Sequence, residues 1–245
     1  MKLYVVGFGS GSRECMTSAA EKAILDSEII MGYNTYIEII KNFFPDKHYI
    51  SSGMREEAVR AENALHQAET HNTALVCSGD PELYGMAGLV YELSGKYPSA
   101  EIEIVPGVSA AFSGGALLGS PLTEDFAVIS LSDLITPSER IEKRLRCAAE
   151  ADFTIVLYNP ASKKRREHLK KACDIILEYR SAETVCGYAA NIGRTGEKYG
   201  VMTLAEMRDL EADMFTTIFI GNSAAKKIGG KMVVPRGYKI DSENI

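Results

Sequence analysis

Eight short apolar runs recur along the chain, separated by segments of helical spacing. They are Leu3–Val6, Glu28–Met31, Thr73–Cys77, Glu101–Val105, Phe126–Leu131, Phe153–Tyr158, Thr184–Tyr188 and Phe215–Ile220. Most are continuous Val/Ile/Leu stretches rather than in/out alternations. A strand with that pattern needs cover on both faces, and helices supply it in α/β proteins. Apolar spacing predicts the helices near Arg55–Glu69, Leu83–Leu93, Pro137–Ala149 and Lys164–Tyr179. Ser18-Ala19-Ala20-Glu21 reads as a capping box, in which hydroxyl and carboxylate each satisfy an orphan amide. The stretch Leu118–Glu124 carries Gly-Ser-Pro-Leu-Thr-Glu, which ends a small-residue helix ahead of a fresh strand. It predicts two α/β domains, 1–120 and 121–240, with a polar tail at 241–245. A cleft between two such domains is the expected ligand site.

The 245 residues are 46% hydrophobic and 24% charged, which excludes a wholly disordered or coiled-coil chain. No apolar run approaches the ~20 residues of a membrane span. The opening MKLYVVGFGSG reads as a strand entering a glycine loop rather than as a signal peptide. Cys15, Cys77, Cys147, Cys173 and Cys186 are scattered, with no CxxC, so the expectation is a reduced, cytoplasmic protein without a disulfide framework. His48, His66, His71 and His168 lack metal-ligand spacing, so no metal is expected.

A net charge of −6 argues against nucleic acid as the partner. The charge is unevenly spread. Residues 1–120 hold 8 Lys/Arg and 15 Asp/Glu, whereas the remainder holds 19 and 18. Two basic clusters, Arg140/Lys143/Arg144/Arg146 and Lys163/Lys164/Arg165/Arg166, lie in that second half. They read either as holders of an anionic small molecule or as solvated helix faces.

Three predicted strands end in small-residue loops. Gly7-Phe8-Gly9-Ser10-Gly11 follows the first strand. It is not a dinucleotide fingerprint: the third glycine is misplaced, and the second strand ends without an acidic residue to hold a ribose. Ser78-Gly79-Asp80-Pro81 follows a buried strand. Asp80 there is either an acceptor for a ligand or an N-cap ahead of Leu83, with Pro81 at the first helical position. Pro106-Gly107-Val108-Ser109-Ala110-Ala111 forms the third loop. Together the three point to a ligand-binding face. GxSxG, GxxxxGK[ST] and HExxH are all absent.

The ordered set GFGSG, GDPELYGMAG, VPGVSAA, DFAVISLSDLITP, LYNPASKKR and GNS…PRGY, spanning residues 1–240, resembles the tetrapyrrole methylases of corrin biosynthesis. Residues 126–133 and Tyr158-Asn159-Pro160 with the basic residues after it are similar to the C17-methylating members. The resemblance implies two α/β domains unlike a Rossmann methyltransferase, a homodimer, and S-adenosyl-L-methionine folded between the domains. It also implies precorrin-3B or cobalt-factor III as substrate, C17 methylation with ring contraction, and a place in cobalamin biosynthesis. Methylation of another ring position, or non-catalytic tetrapyrrole binding, are the alternatives. Carried over by motif, Gly79, Asp80, Leu83, Ser109, Ala110, Asn159, Asn191 and Thr217 would hold the cofactor. Gly9, Ser10 and Ser130 would border the substrate. Arg55, Arg140, Arg144, Arg165, Arg166 and Arg194 are candidates for its carboxylates, since guanidinium pairs bidentately with such groups. A sulfonium methyl is already electrophilic, so the chain's main task would be alignment, worth about 7–11 kcal/mol of barrier.

Overall fold

The computed structural model describes residues 1–161 and 166–239. Lys163, Lys164 and Arg165 of the second basic cluster, and the 241–245 tail, lie outside them. The chain folds as two compact units, Met1–Ala110 and Ala111–Ile245.

The first unit contains β1 (Lys2–Gly7), α1 (Ser18–Asp26), β2 (Ile29–Tyr33), α2 (Asn34–Lys41), β3 (His48–Ser52), α3 (Glu57–Gln67), β4 (Thr73–Cys77), α4 (Ala87–Leu93) and β5 (Glu101–Val105). Its sheet runs β3-β2-β4-β1-β5 with every pair parallel. Val5 sits level with Leu75 on one side and Ile104 on the other. Leu3, Val5 and Leu75 pack with Ala61, Leu65 and Val90 of α3 and α4. Val6, Ile30 and Val76 pack with Ile24, Ile37 and Ile40 of α1 and α2. The continuous apolar runs are therefore covered on both faces, as the sequence predicts.

The second unit follows with α5 (Ala110–Leu118), β6 (Gly119–Ser120), β7 (Phe126–Ser130), α6 (Ser138–Glu150), β8 (Thr154–Tyr158), α7 (His168–Leu177), β9 (Val185–Ala190), β10 (Lys198–Thr203), α8 (Leu204–Arg208), β11 (Thr216–Ile220), β12 (Lys226–Ile228) and β13 (Lys231–Val233). Its main sheet is mixed, in the order β10-β9-β11-β8-β7, and only β7 and β8 pair in parallel. Ile155, Leu157, Ile218 and Ile220 join the helices α6–α8 in one core. The opposite face meets α5: a methyl group on Gly114 would touch the Phe219 ring, and one on Gly187 would touch Leu118. This packing places α5 with the second unit, whereas the sequence reading ends the first domain at residue 120, within the Leu118–Glu124 stretch.

Two local expectations are corrected. The N-cap of α1 is Thr17, whose Oγ1 accepts from the Ala20 amide at 3.1 Å. The third helical position is then Ala20, which has no carboxylate to close a box, and Glu21 pairs with Arg13 instead. The helix expected from Leu83 starts only at Ala87. Tyr84 takes φ +57°, and the Ala87 amide donates to Pro81 O at 3.0 Å, so residues 81–86 form a turn.

All five cysteines are free. Burial pushes the Cys77 thiol up to about 11 and the Cys173 thiol up to about 12, and it raises Cys186 further, because a thiolate loses its hydration there. Cys147 is exposed and Cys15 half-buried. Native protein at pH 8 is therefore expected to take iodoacetamide at Cys147 and Cys15 only, and at all five positions in denaturant. Peptide mass spectrometry reads the difference.

Candidate functional site

The C-terminal edge of the first unit's sheet brings together three loops from the adjacent strands β4, β1 and β5. Glycines allow this closeness. Gly9 and Gly79 form an antiparallel bridge, with Gly79 N donating to Gly9 O at 2.7 Å and Gly9 N to Gly79 O at 3.2 Å. Both sit at positive φ, +78° and +71°, where a Cβ is disfavoured. A Cβ on Gly7 would lie 2.6 Å from Gly79 O and 2.7 Å from Gly107 N. One on Gly107 would overlap the carbonyl oxygens of Gly79 and Gly7. The three loops are therefore in backbone contact.

Asp80 ties two of them. Its Oδ1 accepts from the Glu82 amide at 2.8 Å and its Oδ2 from the Gly107 amide at 3.0 Å. The helix-cap reading of Asp80 is thus replaced by a clamp between loops, since α4 begins seven residues later. Ser109, just before α5, is 6% exposed, and its Oγ has no hydrogen-bond partner among the described residues. Its Cα lies 3.6 Å from where a Gly79 Cβ would sit. Leu83 is half-buried in the 81–86 turn, and Ala110 opens α5. Ser10 is buried beside the glycine bridge. Arg55 is exposed on the turn before α3, at φ +69°.

The second unit gathers its own set at one sheet edge. β7, β8 and β9 end there and antiparallel β11 begins there. Asn159 and Asn191 follow β8 and β9 at φ +54° and +51°, a region that Asn tolerates better than most residues. Asn159 Nδ2 donates to Ser130 Oγ at 3.0 Å, and the Ser132 amide donates to the same oxygen at 3.2 Å. The Asn191 amide donates to Phe215 O at 3.2 Å. Thr217 is buried opposite Ala189. Arg194 lies over the Phe215 ring, 5.7 Å from its centroid. Ser130, Asn159, Asn191, Arg194 and Thr217 thus share this edge.

Arg140 and Arg144 are exposed on α6 with no carboxylate within 4.0 Å among the described residues, whereas Arg146 pairs with Glu142 and Glu178. Arg166 is exposed ahead of α7, and Arg165 lies outside the described residues. One residue that the sequence reading missed is Arg60. Its surroundings, EEAVRAEN, read as a solvated helix face, yet its side chain is buried at the first unit's loop edge.

No helix among the described residues is long and apolar enough to cross a membrane. Comparison with known proteins agrees with the motif resemblance. The chain is 42% identical to a probable cobalt-factor III C(17)-methyltransferase of Salmonella typhimurium, over 97% of this chain and all of that one. It is 43% identical to a cobalt-factor III methyltransferase of Priestia megaterium over 97% of this chain, but spans only 45% of that longer protein. Among solved structures, the methyltransferase CobJ superposes with a TM-score of 0.87 at 32% identity, covering 95% of this chain and 99% of that one. A uroporphyrin-III C-methyl transferase of Thermus thermophilus, complexed with S-adenosylhomocysteine, shares the fold at a TM-score of 0.70 and 18% identity, covering 90% and 97%. The family model for tetrapyrrole (corrin/porphyrin) methylases matches residues 2–208, and with that match over most of its length the chain belongs to the tetrapyrrole methylase family.

Proposed function

We propose that the protein transfers a methyl group from S-adenosyl-L-methionine to C17 of a corrin precursor, with associated ring contraction, in cobalamin biosynthesis. The observation that carries the reading is the corner where three glycine-bearing loops meet beside the buried Ser109 hydroxyl, which has no hydrogen-bond partner among the described residues. A buried hydroxyl without a partner costs free energy, and a ligand polar atom at that corner relieves it. Gly79 leaves room there: the nearest atoms to an added Cβ are 3.6 and 3.8 Å away. The residues present therefore fit a cofactor bearing hydroxyl, amine and carboxylate groups.

We assign Gly79, Asp80, Leu83, Ser109 and Ala110 in the first unit to that cofactor, and Asn159, Asn191 and Thr217 in the second. When bound, S-adenosylmethionine supplies a sulfonium methyl that is already electrophilic. The protein's contribution is then positional. Backbone amides and carbonyls of the glycine loops fix the ligand, Asp80 holds the loops in register, and Ser130 is held by Asn159 at the second edge. Gly9, Ser10, Ser130, the exposed Arg55, Arg140 and Arg144, and the half-buried Arg194 are assigned to the substrate. An acidic first half and a more basic second half support capture of a polycarboxylate by the latter. A reducing compartment and twofold self-association complete the reading. Five unpaired thiols support the first, and exposed Leu134 and Ile135 support the second.

The relatives' names favour the cobalt-loaded substrate. Purified protein with S-adenosylmethionine and either cobalt-factor III or metal-free precorrin-3B is expected to release S-adenosylhomocysteine one-to-one with methylated product, fastest with the cobalt compound. Release with neither tetrapyrrole would defeat the proposal.

A further inference from the structure

Arg60, on α3, is 5% exposed. Its Nε donates to Ser52 Oγ at 2.6 Å, one terminal nitrogen to Gly53 O at 2.6 Å, and the other to the Met86 sulfur at 3.6 Å. Its guanidinium carbon sits 5.9 Å from the Tyr33 ring centroid. Every partner is neutral, and a thioether is a weak acceptor. Among the described residues, three of the five N–H groups of the guanidinium are thus engaged.

The carboxylates nearby are committed elsewhere. Glu56 accepts from the Gly53 amide, Glu57 from the Arg55 amide, and Asp80 from Glu82 and Gly107. Cys77 stays a neutral thiol, its titration pushed up to about 11 by burial. Among the described residues no carboxylate lies within 4.0 Å of Arg60, and every hydrogen bond it makes goes to a neutral group. A buried charge without a counter-ion is strongly disfavoured.

The place of this charge gives it meaning. Ser52 ends β3, Tyr33 ends β2, and Met86 closes the turn that follows β4. All three belong to the sheet edge that carries the glycine loops. We propose that Arg60 is the counter-ion for a ligand carboxylate at this edge, its open N–H groups taking the two oxygens in the fork geometry that guanidinium favours. The inference rests on the functional reading above, which supplies two sources of that chemistry: the substrate's carboxylate side chains and the aminoacyl carboxylate of the cofactor.

The test is a set of binding cycles by calorimetry on wild type, Arg60→Met and Arg60→Lys. One arm compares S-adenosylhomocysteine with 5′-methylthioadenosine, which lacks the aminoacyl group. The other compares the corrinoid acid with its fully methyl-esterified form. Wild type is expected to prefer the acid in the arm that supplies the carboxylate. Arg60→Met should shrink that preference by about tenfold or more, the worth of a charge-assisted hydrogen bond. Arg60→Lys, which keeps the charge but not the fork, should fall between. A purely structural Arg60 would weaken all ligands in parallel and leave both preferences unmoved, which overturns the inference. If Arg60→Met does not fold, preferences unchanged in Arg60→Lys overturn it equally. Wild type that binds no probe in either arm refutes the functional reading and the inference with it.

Discussion

Gly107→Ala is expected to remove measurable S-adenosylhomocysteine binding and to lower the melting temperature. The added methyl would overlap two backbone carbonyl oxygens, those of Gly79 and Gly7, and backbone cannot turn aside as a flexible side chain does. Overpacking of this kind costs about 1–3 kcal/mol or more. For a chain of this size that is a fall of roughly 2–12 °C. The larger effect falls on the ligand, because the same methyl pushes apart the two loops that meet beside Ser109. Gly88→Ala is the matched control. Gly88 lies in α4 with nothing within 4 Å of an added Cβ. Replacing a helical glycine there should raise stability by about 0.5–1 kcal/mol and leave binding untouched. Calorimetry and a thermal melt on the two variants read both effects. Equal behaviour of the pair would contradict the assigned corner.

Asp80→Ala should weaken S-adenosylhomocysteine by about 10- to 100-fold, with a smaller loss of stability. Each hydrogen bond to a charged acceptor is worth about 1.5–3 kcal/mol, and Asp80 accepts two, from loops of different strands. Without it, the Glu82 and Gly107 amides both lose their acceptor. Asp80→Asn keeps one acceptor and turns a donor toward the other amide, so it should restore only part of the affinity. A clamp and a direct ligand contact differ in their signatures. Loss of the clamp lowers melting temperature and affinity together, whereas loss of a ligand contact lowers affinity alone. Calorimetry with a thermal melt on each variant decides, and wild-type affinity in Asp80→Ala would remove the residue from the site.

What the sequence revealed, and what it hid, follows from the patterns it carries. Central strands such as β4 and β11 are buried along their whole length and stand out as continuous apolar runs. The edge strands β3 and β10 are exposed or half-buried throughout, so HYISS and KYGVMT carry no apolar run to read. The three loops were legible because small residues after buried strands have few other uses. The 81–86 turn was not, because Tyr84 adopts positive φ, which propensity rules assign to glycine or asparagine. Arg60 was hidden by its flanking glutamates: Glu56 and Glu57 stay exposed and Glu62 half-buried while it turns inward. Asn159 and Asn191 occupy equivalent positions after β8 and β9, the two strands that flank β11, yet only Asn159 sits in a recognisable motif.

Methyl transfer to one carbon of one ring is read from the position of a label. S-adenosylmethionine carrying a ¹³C-methyl group is incubated with cobalt-factor III and purified protein, and the product is examined by carbon–proton correlation NMR. A single enriched methyl group attached to C17, formed in step with S-adenosylhomocysteine, is expected. Enrichment at any other carbon, or an unlabelled tetrapyrrole recovered intact, would contradict it.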